Sequence, residues 1–555
     1  MFCASSLQEK KKDYRLLLVT ACNLVFLIYL VHYLIPIPHF ILSIIIGLTI
    51  FIVPGYVWTN RFNGNHDDFI FVLLKSLLLS TLLLIITCVV FRILKVEITS
   101  FKCFIIIFLV TNTRFVIVRK KSFPVDISIK KFKYYFVLFS LTLLVYGAIY
   151  LGATKIVPPM EDLDNEAQGT AYGLINHLKP YMVTNRKMTY YFAHPPSLHF
   201  YIGAASLFYD KLEELSYYYI SAKRAETQRG VTMSENDLER IWLKNLKTFF
   251  EKPLLLPTRM PSIFFSALTV IVFIFLIKHY TSSYLILVLA PLLYFTFPEV
   301  FVRSCFAGYL AIDNFILLIM AYLYITCLEE NKGSNLNFLF ISSGCFAAFA
   351  DQKTLIFPLA LFCTILTARG TGAIARLKSA FSHSLIVGFV IGIAIYVAYG
   401  VWVDAKTFID DQVMWHFINR FRLDDIRVIH SSEIWYPSII EVWREFGHNL
   451  GYHFLFIGSL LAISSLKNKQ DKIDLFGYWF LIGAVLFSIT DWRQTRHFML
   501  IIPPMIICTL LFLDKMKSWI RYLLIGLLGL LIMRNIWMIL QLANNFEIIK
   551  PTPIW

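Results

Sequence analysis

The chain has 555 residues, of which 58% are hydrophobic and only 16% charged. Soluble domains carry about 45–50% apolar residues and about a quarter charged ones, so the composition excludes a disordered chain and an ordinary water-soluble enzyme. The net charge of +15 suggests nucleic acid only until its location is considered. In a membrane protein, Lys and Arg collect in cytoplasmic loops and orient the chain.

The first charged run, Lys10-Lys11-Lys12-Asp13-Tyr14-Arg15, precedes an apolar stretch of about span length with no small-residue cleavage site. It predicts a first transmembrane helix rather than a removed signal peptide. Further spans are expected at about 39–57, 69–93, 101–118 and 134–152. After a polar stretch they resume at about 258–277, 282–300, 305–327, 336–350, 354–368, 382–402, 451–466, 473–490, 497–513 and 518–540. The expected fold is an all-α polytopic membrane protein of about fifteen helices. The nine cysteines form no CxxC pair and no zinc spacing, and most sit inside apolar runs, so they read as buried thiols.

Charge sets the expected organisation. A basic linker at 119–133 separates a four-helix unit at 1–118 from a core at 134–555. With the N-terminus and this linker inside, the later inside turns hold Lys278, Lys332, Arg369, Arg376, Lys378, Lys467, Lys469, Lys472, Lys515, Lys517 and Arg521. The polar segments 154–257 and 404–450 then become two large external loops. Nucleic acid drops out as a partner, because much of the positive charge is topological.

Candidate chemistry lies on the outer side. Glu161, Asp162, Asp164 and Glu166 are crowded at the start of the first external loop. Such carboxylates suit a general base, or a divalent cation (Mg, Mn or Zn) held by Asp162 and Glu166; they equally suit the acidic start of a helix. In Tyr190-Tyr191-Phe192-Ala193-His194-Pro195-Pro196-Ser197-Leu198-His199, the prolines fit a helix start and place His194 just before it. The segment to about 209 is expected to lie in the interface plane. Arg303 and Asp313 flank one outer helix start, Lys353 follows Asp351 at an outer helix end, and Arg493 and Arg496 lie in the next outer turn. Cations there suit phosphate binding, or merely snorkel to the interface. There is no nucleotide-binding loop, no HExxH and no GxSxG, and the spans carry few internal charges.

The ordered set resembles the C-type (GT-C) glycosyltransferases, the superfamily of protein O-mannosyltransferases and bacterial aminoarabinose transferases. The acidic motif Glu161–Glu166 comes first, then His194-Pro195-Pro196, then Arg259-Met260-Pro261-Ser262 opening a span, then Arg303 followed by Asp313. The sequence departs from the family at Glu161-Asp162, where the family often has Asp-Glu, and just before the Pro-Pro motif, where some members carry Glu and Phe192 and Ala193 stand here. The resemblance covers about 134–540 and implies a GT-C fold. It implies a polyprenyl-phosphate-linked sugar as donor, a glycolipid, polysaccharide or protein as acceptor, inversion at the anomeric carbon, and no nucleotide. It implies Asp162, with Asp164 as rival, as the base, and Arg303, Lys353, Arg493 and Arg496 as the cations on the leaving phosphate. His194, His199, Arg259 and Asp313 fall next to the substrate or a metal. A site facing the periplasm or exterior of a bacterial inner membrane would follow. A lipid-glycan flippase and a polysaccharide polymerase are the alternatives.

Overall fold

The computed structural model describes residues 15–59, 69–117, 129–157, 166–184, 187–190, 192, 194–212, 255–327, 335–368, 372–413, 439–467, 472–489 and 495–545. Among the described residues, seven helices are long and apolar enough to cross a membrane, or up to nine if each of two bent pairs is one span. The chain is a helical multi-pass membrane protein. One hairpin departs from the all-helical expectation: β1 (Tyr181–Thr184) pairs antiparallel with β2 (Lys187–Tyr190), Tyr181 facing Tyr190.

The chain divides into two compact units, Met1–Ser140 and Leu141–Trp555. The boundary falls inside a helix, α6 (Ile129–Leu151), past the basic run at 119–133. The first unit contains α1 (Arg15–Val31), α2 (His39–Gly47), α3 (Val53–Thr59), α4 (Phe69–Ile93) and α5 (Ser100–Ile117). Phe26 and Tyr29 pack on Phe104, and Asn23 and Asn112 exchange amide hydrogen bonds of 3.2 and 3.1 Å. Reciprocal pairing satisfies two amides in an otherwise apolar setting.

The second unit continues α6 and adds α7 (Glu166–His177), α8 (Ser197–Phe208) and α9 (Leu255–Tyr280). Next come α10 (Tyr284–Thr296), α11 (Pro298–Cys305), α12 (Leu310–Cys327), α13 (Asn335–Ala350) and α14 (Ile356–Leu366). The rest are α15 (Ala373–Ser382), α16 (Ser384–Ile409), α17 (Ile439–Leu450), α18 (Tyr452–Ser464), α19 (Asp474–Ile489), α20 (Thr495–Phe498), α21 (Ile502–Asp514) and α22 (Ser518–Asn545). Similar apolarity serves opposite roles here. The most apolar window of Leu256–Tyr280 is 94% buried inside the protein, whereas that of Ser518–Leu542 is only 17% buried. A helix apolar all round is either a core helix or a lipid-facing one; α9 is the first and α22 the second.

Three expectations change. The span expected at 282–300 is broken: α10 and α11 meet at an angle of 73°. Phe297 between them is extended (φ −61°, ψ 122°) because the following Pro298 disfavours a helical residue before it. The segment 197–208 does not leave one face open, as an amphipathic interfacial helix would. Leu198, His199 and Tyr201–Phe208 are buried against the neighbouring helices α7 and α9. The external stretch expected at 404–450 is partly helical, since α16 runs on to Ile409 and α17 occupies its end.

Helices α13 and α16 pack closest where glycine leaves room. A Cβ on Gly388 would meet the Ile341 carbonyl oxygen at 2.2 Å, and one on Gly344 would meet the Leu385 carbonyl oxygen at 2.2 Å. Small residues let apolar helices approach backbone to backbone, which is how helices associate without a hydrophobic driving force. This contact fixes the end of α13, where Asp351 and Lys353 follow. Gly388→Val is expected to destabilise the protein by about 1–3 kcal/mol, read as a lower melting temperature in detergent.

Candidate active site

The turn after α13 is built to hold a charge. Asp351 caps the short 3-10 segment Gln352–Leu355, its carboxylate accepting from the Lys353 amide at 3.4 Å. The Lys353 ammonium donates to the other carboxylate oxygen. Both side chains are buried, at 9% and 1% exposure for Lys353 and Asp351. Thr354 locks the turn by donating to the Ala347 carbonyl at 2.8 Å. His194 Nδ1 approaches Asp351 Oδ1 at 3.9 Å, and the His194 ring lies over Tyr309 with centroids 4.4 Å apart. Tyr309 also shares a hydrogen bond of 3.1 Å with Nδ1 of buried His199.

Electrostatics follow from this packing. Burial acts to raise the Asp351 carboxyl, but the Lys353 ammonium and the His194 ring beside it together outweigh burial and hold it well below the usual range. Burial lowers the His194 imidazole, and the charges of Lys353 and Arg496 lower it further against the pull of Asp351. His194 is therefore neutral at pH 7, with one ring donor and one acceptor.

A cavity of about 270 Å³ opens beside this turn, lined by His194, Arg303, Gly308, Tyr309, Leu310, Asp313, Lys353, Arg496, His497 and Leu500. Arg303 Nε donates to Glu299 at 2.7 Å and the guanidinium lies 5.9 Å from the Phe306 ring centroid. Its Nη1 is buried with no hydrogen-bond partner among the described residues, and so is Oδ1 of Asp313, a residue only 2% exposed. Both residues line the cavity, and a buried polar atom left without a partner is costly unless a ligand completes it. Arg303 suits an anionic oxygen, and Asp313 suits a hydroxyl or other donor.

The broken span explains how Arg303 arrives here. The bend at Phe297 sets α11 as a short polar-faced helix carrying Glu299 and Arg303, and the turn 306–309 returns the chain into α12 with Asp313 in its first turn. That turn is tied down by Ser262, which exchanges hydrogen bonds of 3.2 Å with the amide and carbonyl of Gly308. One turn earlier on α9, buried Arg259 donates to the Ala153 and Val157 carbonyls at 2.7 and 2.8 Å. Arg259 is not among the cavity-lining residues; it braces the chain that leads into the acidic segment.

The structure thus brings together His194, Arg303, Asp313, Lys353 and Arg496 around one cavity, with His199 behind Tyr309. Glu161, Asp162, Asp164 and Arg493 lie outside the described residues. Glu166 begins α7, and its side chain lies outside them too. Sequence reasoning missed Tyr309 as a cavity residue, although it stands between Arg303 and Asp313. Among the described residues, no group of three or more His, Cys, Asp or Glu side chains could hold a metal. The Asp351 carboxylate, the nearest acidic neighbour of His194, is already neutralised by Lys353.

No family model and no curated protein matches the sequence. Among solved structures, the chain is similar to the crystal structure of ArnT from Cupriavidus metallidurans bound to undecaprenyl phosphate. The identity is 13% and the TM-score 0.44, over 71% of this chain and 62% of that one. The chain therefore matches less than two thirds of the length of that protein.

Lys353→Met is expected to cost about 3–5 kcal/mol of stability, because the buried Asp351 carboxylate loses its cation. The double variant Lys353→Met with Asp351→Asn should recover most of the loss. The pair also sets an acid limit. A carboxyl held low in the folded state contributes stability that is full above the ordinary value of about 4 and lost as pH falls towards the folded one. Asp351→Asn should flatten the fall in melting temperature below about pH 4.

Proposed function

We propose that the chain is an integral membrane glycosyltransferase of the C-type layout, moving a sugar from a polyprenyl-phosphate donor to an acceptor hydroxyl or phosphate at the outer face of the membrane. The observation that carries this reading is the cavity in which Arg303, Lys353 and Arg496, from three separate elements, meet beside Asp313 and a neutral His194. A lipid-anchored phosphate has its charge at the membrane surface, where the ends of apolar helices can present such cations. The cavity volume of about 270 Å³ suits a small head group while the prenyl chain stays in the bilayer. The ordered motifs around His194, Arg259, Arg303 and Asp313 support the same reading.

In the proposed reaction an acidic residue of the first external segment, Asp162 with Asp164 as rival, removes the acceptor proton. The acceptor oxygen attacks the anomeric carbon as the bond from that carbon to the phosphate oxygen breaks, so the configuration inverts. Polyprenyl phosphate leaves with the bonding electrons, and its new negative charge is met by Arg303, Lys353 and Arg496. A preorganised cation of this kind is worth a factor of about 10²–10³ in rate. Neutral His194 donates one hydrogen bond to the phosphate or the acceptor, and Asp313 accepts one from a sugar hydroxyl. Asp162 and the Glu166 side chain, the groups expected to hold a cation, lie outside the described residues, and the steps are assigned to the chain's own side chains. A bacterial inner membrane, with the site on the periplasmic side, is the setting this reading implies.

The test is reconstitution in liposomes with a radiolabelled polyprenyl-phosphate sugar and a membrane extract as acceptor source. The wild type should transfer label, Arg303→Ala should lose about 10²–10³-fold, and either Asp162→Asn or Asp164→Asn should lose about 10²–10⁴-fold. Undiminished transfer by both carboxamide variants overturns the base assignment. Movement of the labelled lipid between leaflets without any transfer identifies a flippase instead.

A further inference from the structure

His194 and Lys353 sit on segments far apart in sequence, and both are tied to the far end of α16. Near its C-terminus α16 breaks at Asp404, which adopts non-helical angles (φ −164°, ψ 98°). The Asp404 carboxylate then caps the next turn, accepting from the Thr407 amide and hydroxyl at 3.1 Å each. The chain folds back there. The Phe408 ring fills the space at Gly400, where a Cβ would lie 1.9 Å from it, and packs on Phe192 and Tyr396.

The fold-back delivers a polar turn at 410–413 to the back of the candidate site. Asp411 accepts from the Phe192 amide at 2.9 Å, and the Phe192 carbonyl accepts from Tyr396 at 2.8 Å and from the Gln412 side-chain nitrogen. The Gln412 side-chain oxygen accepts from Gln352 at 2.7 Å. One amide therefore joins the residue next to Lys353 to the residue two places before His194. A planar amide with one end on each segment fixes their separation, because neither hydrogen bond survives a shift of more than a few tenths of an ångström without weakening.

We propose that this fold-back, residues 404–413, is a clip that sets the spacing between His194 and the Asp351–Lys353 pair, with Gln412 as its positioning residue. Gln412 is not among the residues lining the cavity, so it acts through the side chains it holds. The inference rests on the transferase reading for its kinetic test alone. A misplacement of about 1 Å costs up to about 10²-fold in rate, which sets the expected effect.

The experiment compares wild type with Gln412→Met, Gln352→Met and the double variant, in the reconstituted full-length protein. Gln412→Met should lower kcat by about 10–10²-fold while KM for the lipid-linked donor changes little and the melting temperature stays near that of wild type. The double variant should be no worse than Gln412→Met, because both remove the same link. A second readout needs no activity. Acylation of His194 by diethyl pyrocarbonate, followed by peptide mass spectrometry, should be several-fold faster in Gln412→Met, with His279 unchanged as the internal control. Wild-type kcat and wild-type His194 acylation in Gln412→Met overturn the clip. Effects of Gln412→Met and Gln352→Met that multiply also overturn it, as does a loss of activity that merely follows loss of folded protein. A wild type that transfers no sugar sinks the transferase reading, and the acylation rates then decide the clip by themselves.

Discussion

The buried pair of Lys353 and Asp351 is the interaction on which the rest of the candidate site depends. Neither charge could be buried by itself, since the desolvation of an isolated ion costs several kcal/mol. Together they are held in a capped 3-10 turn, and the turn is placed by the tight glycine contact between α13 and α16. Once the pair is fixed, its neighbours are constrained. His194 faces Asp351, and its imidazole is kept neutral by burial and by the nearby cations. An apolar bundle can carry this much charge only where the charges face one another and a cavity.

The elements around the pair act as braces rather than as chemistry. Arg259 and Ser262 lie one turn apart on the buried helix α9. Arg259 holds the carbonyls that precede the acidic segment, and Ser262 holds the turn between Arg303 and Asp313. The motif that looked like substrate contact in the sequence thus ties two parts of the site to a deeply buried helix of the unit. The folded-back end of α16 ties the other two, through Phe192 and Gln352. Sites need such rigid support because reacting groups must be held to within fractions of an ångström.

Much of the helical layout was legible in the sequence, because apolar runs of span length and basic turns are local signals. The span at 69–93 coincides with α4, and that at 336–350 falls within one residue of α13. The bend at Phe297 was also written in the sequence, as Pro298, but apolarity on both sides masked it. The burial of α8 was not legible. Its aromatic and small residues read as amphipathic only if one face meets water, and the packing of α7 and α9 around it removes that face.

Composition alone determined that this is a membrane protein, since 58% hydrophobic residues cannot be buried in a water-soluble core. Outer-side position and the family resemblance also picked out His194, Arg303, Asp313, Lys353 and Arg496 as candidates, beside Asp162, Asp164 and Arg493, which lie outside the described residues. Only the tertiary structure decided that the first five line one cavity, that Arg259 turns away to hold backbone, and that Gln412 spans two of the segments involved. The physical reason is range. Hydropathy and charge act residue by residue and can be counted along the chain, whereas hydrogen bonds between residues 60 and 220 positions apart exist only after the helices have packed.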